Sequence, residues 1–391
     1  MKLRKKLILT NNRAERTIAT SVITSAHMLR INLSVGIICF ATHLLFAGVI
    51  NAQGEPGDQA RNHYANGYEL HKNRKYRDAV IEFERAVTAS PDYGDAYYLL
   101  GHCYHTLTDF DRSIKSFEQS LSLGFLPQKS SKALAIVYPK AAAVSYQRGK
   151  FNEAIRRYEQ ALELASEVNK ATIFYQLGLA YLKSNREDNA IKSLNKATQI
   201  NPNFMKAHKK LADIYHRKRE FLTATKNYSK TIEIDSTYTA AYGGLARTKF
   251  ATEDIEGVIE LMHKATRINP AYADGYLLLG TALTQMGRQH EAVTPLRKAI
   301  DLDHANAEAH FRLGEALYGM GNYREARSAS EQAVRNKKGL VAAQSLLGDT
   351  HFKLGEFQEA KTWYLKAKES SRFKDYATAQ LEEIERLKKS P

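Results

Sequence analysis

The sequence lacks the motifs that usually carry catalysis. It has no glycine-rich phosphate loop, no His-Glu-x-x-His and no Gly-x-Ser-x-Gly, and its Glu and Asp residues are scattered rather than paired. Cysteine is nearly absent, with only Cys39 and Cys103 in 391 residues. If the N-terminal segment is removed, Cys103 stands alone and no internal disulfide can form. Long apolar runs are missing too, apart from one near the N-terminus. Proline is scarce at eight residues, and three of these (Pro91, Pro202 and Pro270) mark breaks in a regular pattern. Charge is unbalanced at a net +15, but residues 1–52 hold seven bases and one acid. The remainder, with 50 bases against 41 acids, is only mildly basic, too little to point to nucleic acid.

What is present is repetition. Leucine recurs at Leu177, Leu211, Leu245, Leu279, Leu313 and Leu347, 34 residues apart, each followed by Gly or Ala. Twelve residues after each small residue comes Ala190, Ala224, Val258, Ala292, Ala326 or Ala360, and seven further on comes Ala197, Thr231, Ala265, Ala299, Ala333 or Ala367. A fixed period of this length marks a solenoid, an architecture whose units stack in one dimension. Apolar spacing of three to four makes each half-unit an amphipathic helix. Gly287, Gly321-Asn322 and Gly355 separate the halves, and Ser90-Pro91, Asn201-Pro202 and Asn269-Pro270 separate units. Small residues let paired backbones approach to about 8–10 Å.

The pattern resembles the tetratricopeptide repeat, W-x2-L-G-x2-Y followed by Ala, Phe, Ala and Pro. One unit carries Phe174, Leu177, Gly178, Tyr181, Ala190, Leu194, Ala197 and Pro202 in that register. Extending it gives nine units, at 60–93, 94–127, 135–168, 171–204, 205–238, 239–272, 273–306, 307–340 and 341–374, so 60–374 is the repeat region. The first three match less well, with Asn66, Ala141 and Ser120 replacing usual residues. The resemblance implies an all-α solenoid, a right-handed superhelix of helix-turn-helix repeats. Residues 375–391 read as a capping helix and tail, with Leu381, Ile384 and Leu387 on one side. Seven extra residues, Gln128 to Leu134, read as a longer loop between the second and third units. The next helix is expected to begin near Tyr138, because Pro139 inside a helix would cost about 3 kcal/mol.

In the N-terminal segment 1–52, a basic stretch precedes Ile31 to Ile50, twenty residues without a formal charge. This describes a secretory signal cleaved after Ala52, or an uncleaved membrane anchor, with 53–59 as a linker. Met28 could be the true start. Either form places the repeats outside the cytoplasm, in a bacterial periplasm or secreted, with contact to the membrane if uncleaved. A mitochondrial presequence or outer-membrane anchor is the minor alternative.

The resemblance also implies that the first helix of each unit lines a concave face and meets ligands at positions 2, 5, 9, 12 and 13. These positions give Tyr64, Tyr68, His71, Tyr98, His102, His105, Tyr146 and Tyr175, then Lys206, Lys209, Arg217 and Arg247. Asp274, Glu308, Phe311, Glu315, Tyr318, Asp349 and Phe352 follow. The groove is expected to run aromatic, then basic, then acidic with aromatics. Tyr64 and Tyr68 depart from the Lys/Asn pair with which some family members grip a chaperone C-terminus. His102 and His105 face away from Cys103, so no metal site is expected, and no cofactor is expected. The implied role is a non-enzymatic scaffold of the cell envelope that binds proteins or peptides. The alternatives are a regulatory or targeting subunit of an envelope enzyme complex, such as a glycosyltransferase or protease, and a membrane-anchored receptor facing the cytosol.

Overall fold

The computed structural model describes residues 56–389. The apolar stretch 31–50 lies outside the described residues. Among those described, no helix is long and apolar enough to cross a membrane. The described chain is helical, with no strand.

It divides into two compact units, the first ending at Ala165 and the second beginning at Ser166. The N-terminal unit holds α1 (Asp58–Lys72), α2 (Tyr76–Ala89), α3 (Gly94–Thr106), α4 (Phe110–Ser122), α5 (Pro127–Gln147) and α6 (Phe151–Leu164). The C-terminal unit holds α7 (Glu167–Lys183), α8 (Glu187–Ile200), α9 (Met205–Arg217), α10 (Phe221–Ile234), α11 (Thr239–Ala251) and α12 (Ile255–Ile268). It continues with α13 (Ala273–Gln285), α14 (Gln289–Leu302), α15 (Ala307–Gly319), α16 (Tyr323–Asn336), α17 (Val341–Lys353), α18 (Phe357–Lys368) and the capping helix α19 (Lys374–Lys389).

The seam within each pair is steric. All six periodic leucines are buried, and Ala190, Ala224, Val258, Ala292, Ala326 and Ala360 are fully so. A Cβ on Gly178 would sit 2.9 Å from Leu194 Cγ and 3.3 Å from the Ala190 carbonyl oxygen. Only glycine lets α7 and α8 close to that distance. Inside each compact unit, a helix pair leaves a second apolar face that the next pair of the same unit covers. One core therefore runs from Tyr242 and Val258 through Leu279 and Leu296 to Leu313 and Ala326 without a break.

The turn inside each unit repeats a left-handed residue at one register position: Arg74, Thr108, Gly149, Asn185, Arg219, Glu253, Gly287, Gly321 and Gly355. Glycine takes this conformation freely, whereas a residue with a Cβ pays about 1–2 kcal/mol. The β-branched Thr108, at φ 62°, is the most strained type here. Thr108→Gly is expected to raise stability by about 1 kcal/mol, read as a higher denaturation midpoint with an unchanged slope. A loss would mean the hydroxyl or methyl makes a contact worth more than the strain.

The expected loop at 128–134 and a helix start near Tyr138 are corrected by the structure. α5 begins at Pro127, where a missing N–H costs nothing, and continues through Pro139. Seven residues are close to two helical turns, so the insertion lengthens the helix without rotating its faces. Leu134 and Tyr138 are buried, and Tyr138 donates to Glu118 with the same spacing by which Tyr104 donates to Glu84. Further along, Ala141 and Ser145 accept hydrogen bonds from Arg157 of α6, at 3.2 and 2.9 Å. One lengthened helix serves both neighbours, which offsets the hydrogen bond lost at Pro139.

Candidate functional site

The groove positions fall into three kinds once their contacts are known. At position 12, each aromatic ring leans on the first residue of the partner helix. His71–Tyr76, His105–Phe110, Tyr146–Phe151, Tyr318–Tyr323 and Phe352–Phe357 lie 5.3 to 5.9 Å apart between ring centroids. His216–Phe221 repeats the contact at 5.9 Å, and the sequence reading did not single out that pair. These rings close the helix pair, an edge-on packing worth about 0.5–1.5 kcal/mol each.

The charged positions are mostly paired within the chain. Lys209 meets Asp213 at 2.8 Å, Arg217 meets Glu187, and Arg247 meets Asp274 at 2.7 Å. Arg312 bridges Glu308 and Glu315, at 2.8 and 2.7 Å. Burial holds the Glu315 carboxyl above its usual range, with Arg312 opposing. Lys206 is exposed and has no such pair among the described residues. The expected run from basic to acidic is therefore interleaved with opposite charge, and little net field remains beyond about 10 Å in salt.

Phe311 requires a correction: it is 6% exposed and packs with Ala333, Ala343 and Leu346, not in an open groove. The reason lies in α16. The slot filled by Phe83, Phe117, Leu194 or Tyr364 in other units is Ser330 here, whose buried hydroxyl has no partner. Leu346 moves in, to 3.1 Å from where a Cβ on Gly314 would stand. Tyr175 is half-buried against Phe204, with centroids 5.1 Å apart. Asp349 is half-buried and accepts from Tyr364 and Tyr376, each at 2.8 Å.

What remains is an aromatic face on α1 and α3. Tyr64 lies 6.3 Å from Tyr68 and 4.9 Å from Tyr93, and Tyr98 lies 4.7 Å from His102, between ring centroids. Tyr68 is 47% exposed, and Tyr64, Tyr98 and His102 are half-buried. Burial pushes the Tyr64 hydroxyl up to about 12, reinforced by Asp95 and by its neighbours Tyr93 and Tyr68. Burial also lowers the His102 pKa, as do His71 and His105 nearby. Lys140 approaches His105 Nε2 at 2.9 Å.

Cys103 is fully buried, and burial raises its thiol to about 12, so it is an inert core residue. Among the described residues, no three His, Cys, Asp or Glu side chains gather to hold a metal ion.

Comparison with known proteins matches this helix pairing to one family. Models described as tetratricopeptide repeat match residues 94–123, 133–203 and 311–375, and one described as TPR repeat matches 280–321. The chain belongs to the tetratricopeptide repeat family. This tetratricopeptide repeat protein is 23% identical over 229 residues to anaphase-promoting complex subunit 3 of Schizosaccharomyces pombe, covering 59% of this chain and 28% of that one. It is 27% identical over 99 residues to the photosystem I assembly protein Ycf3 of Rippkaea orientalis, covering 25% of this chain and 57% of that one. The matches thus span less than two thirds of either relative. Among solved structures, YrrB, described as a TPR protein with an unusual peptide-binding site, is 23% identical, with a TM-score of 0.42. The match covers 48% of this chain and 97% of YrrB.

Two residues of the aromatic face were missed in the sequence. Asp95 occupies position 2 of its unit, so the repeat register could have found it. Tyr93 closes the preceding unit, a position that the register does not mark as groove-lining, and only the packing of Tyr64 brings it in.

Proposed function

We propose that this tetratricopeptide repeat protein is a non-enzymatic scaffold that holds an extended peptide of a partner protein against the α1–α3 face. The observation that carries this reading is the aromatic face of α1 and α3, where Tyr68 is exposed beside Tyr64 and the half-buried Tyr98 lies beside His102. Such side chains bury much area at low entropic cost and dominate interfaces. Groove positions elsewhere are largely taken up by the chain's own ion pairs and ring contacts. We further place the protein in the cell envelope, exported or tethered by residues 31–50. The support is the basic flank followed by the uncharged run in the sequence.

Crosslinking in the native cells tests both parts. Tyr64→Ala, Tyr68→Ala and Tyr98→Ala together are expected to weaken capture of the partner about thirtyfold or more, since hot-spot truncations cost about 2 kcal/mol or more. Helicity by circular dichroism should hold. Unchanged capture would move the site off this face. Protease that reaches the repeats from the cytosolic side of intact cells would rule out export.

A further inference from the structure

We propose that the face formed by Tyr64, Tyr68, Tyr93 and Tyr98 takes a lysine or arginine side chain of the bound peptide, with the Asp95 carboxylate as its counter-ion. This deepens the scaffold reading and rests on it.

The acids at the other groove positions show what is unusual about Asp95. Asp213 has Lys209, Asp274 has Arg247, and Glu308 and Glu315 share Arg312. Asp349 has two tyrosine hydroxyls. Asp95 is half-buried in the first turn of α3, and its carboxylate makes no hydrogen bond or ion pair among the described residues. Burial raises its pKa, because partial exclusion of water disfavours the charged carboxylate. A cation placed beside it offsets that cost.

The surroundings suit a cation as well. Tyr64 lies close enough to Asp95 to feel its charge, stacks with Tyr68 and meets Tyr93 at a tilt. Tyr98 follows Asp95 by one helical turn on the same face. Tyrosine ring faces attract ammonium and guanidinium groups, and more strongly as water is excluded. Arg61 on α1 acts on Tyr93 and pairs with Asp58 at 2.6 Å, and no ion pair joins it to Asp95 among the described residues. An acidic peptide would meet like charge here, and a purely apolar one would leave Asp95 buried and unpaired.

The test uses three labelled octapeptides on the full chain, followed by fluorescence anisotropy: (Lys-Ala)4, the same peptide with acetylated lysines, and (Glu-Ala)4. The lysine peptide is expected to bind, with acetylation weakening it about tenfold. Asp95→Asn should produce a similar loss without lowering the melting temperature, whereas Asp78→Asn on the exposed side of α2 should change nothing. Tyr68→Phe should retain affinity and Tyr68→Leu should lose several-fold, since the ring face and not the hydroxyl holds the cation. Equal binding of the acetylated peptide, preference for the glutamate peptide, or indifference to Asp95→Asn would each overturn the cation site while leaving a peptide scaffold standing. Failure of all three peptides to bind also overturns it, and the scaffold reading then stands or falls on the crosslinking result.

Discussion

Leu279→Arg is expected to destroy the single cooperative unfolding of the C-terminal unit and to cost more than about 4 kcal/mol. Leu279 is buried in the core that joins α11 through α16. Truncating such a leucine alone costs about 2–5 kcal/mol, and arginine adds a charge with no partner in an apolar seam. In a linear stack, stability comes from each unit and its two interfaces, so a break in the middle removes both interfaces at once. Denaturation followed by circular dichroism should show the transition split or shifted to much lower denaturant. Glu260→Arg, an exposed position on α12 in the same region, should stay within about 0.5 kcal/mol of the parent. Equal effects of the two changes would mean that the stacking phase is wrong.

Tyr364→Ala should be nearly as damaging, by about 3–5 kcal/mol, because the side chain is fully buried between α17 and the cap. Its ring lies 2.6 Å from where a Cβ on Gly348 would stand, so nothing else can fill the space without movement. Its hydroxyl and that of Tyr376 on α19 both donate to Asp349, so this carboxylate ties the cap to the last pair alongside the Lys361–Glu385 ion pair at 2.8 Å. Tyr364→Phe keeps the volume and should cost only about 1–2 kcal/mol. The pH dependence has a definite sign. Burial holds the Asp349 pKa above its usual value, against the two tyrosine donors that lower it. The folded state therefore binds this proton more tightly than the unfolded chain does. The stabilisation is full below the ordinary Asp pKa and is lost as pH rises through the raised folded value. Asp349→Asn should flatten that part of the stability profile, and an unchanged profile would show that the carboxyl is not the titrating group.

The helix pairs were legible because their causes are local. The alternation of Leu-Gly or Leu-Ala with a later alanine fixes which face of each helix meets its partner, and the 34-residue period fixes that each pair must stack. Cys103 in the seam and the cap over the last pair follow from the same register. The insertion before Tyr138 is not legible from its sequence alone, because the cost of Pro139 is local and its compensation is not. Seven residues preserve helical phase, and that only matters once both neighbouring helices are in place.

The aromatic face was half legible. Tyr64, Tyr68 and Tyr98 sit at expected positions, yet the same rule nominated Phe311, which turned inward because Ser330, nineteen residues later, left a slot too small to fill itself.

The unit, its seam and the faces each helix must bury are written in spacing along one chain. Which side chains stay available to a partner depends instead on contacts between units of the stack. Arg247 finds Asp274 twenty-seven residues on, and Tyr376 reaches back the same distance to Asp349. Those encounters depend on how one pair rests on the next, a distance in space that no local period records, and among the described residues they leave Asp95 beside its tyrosines without an ion-pair partner.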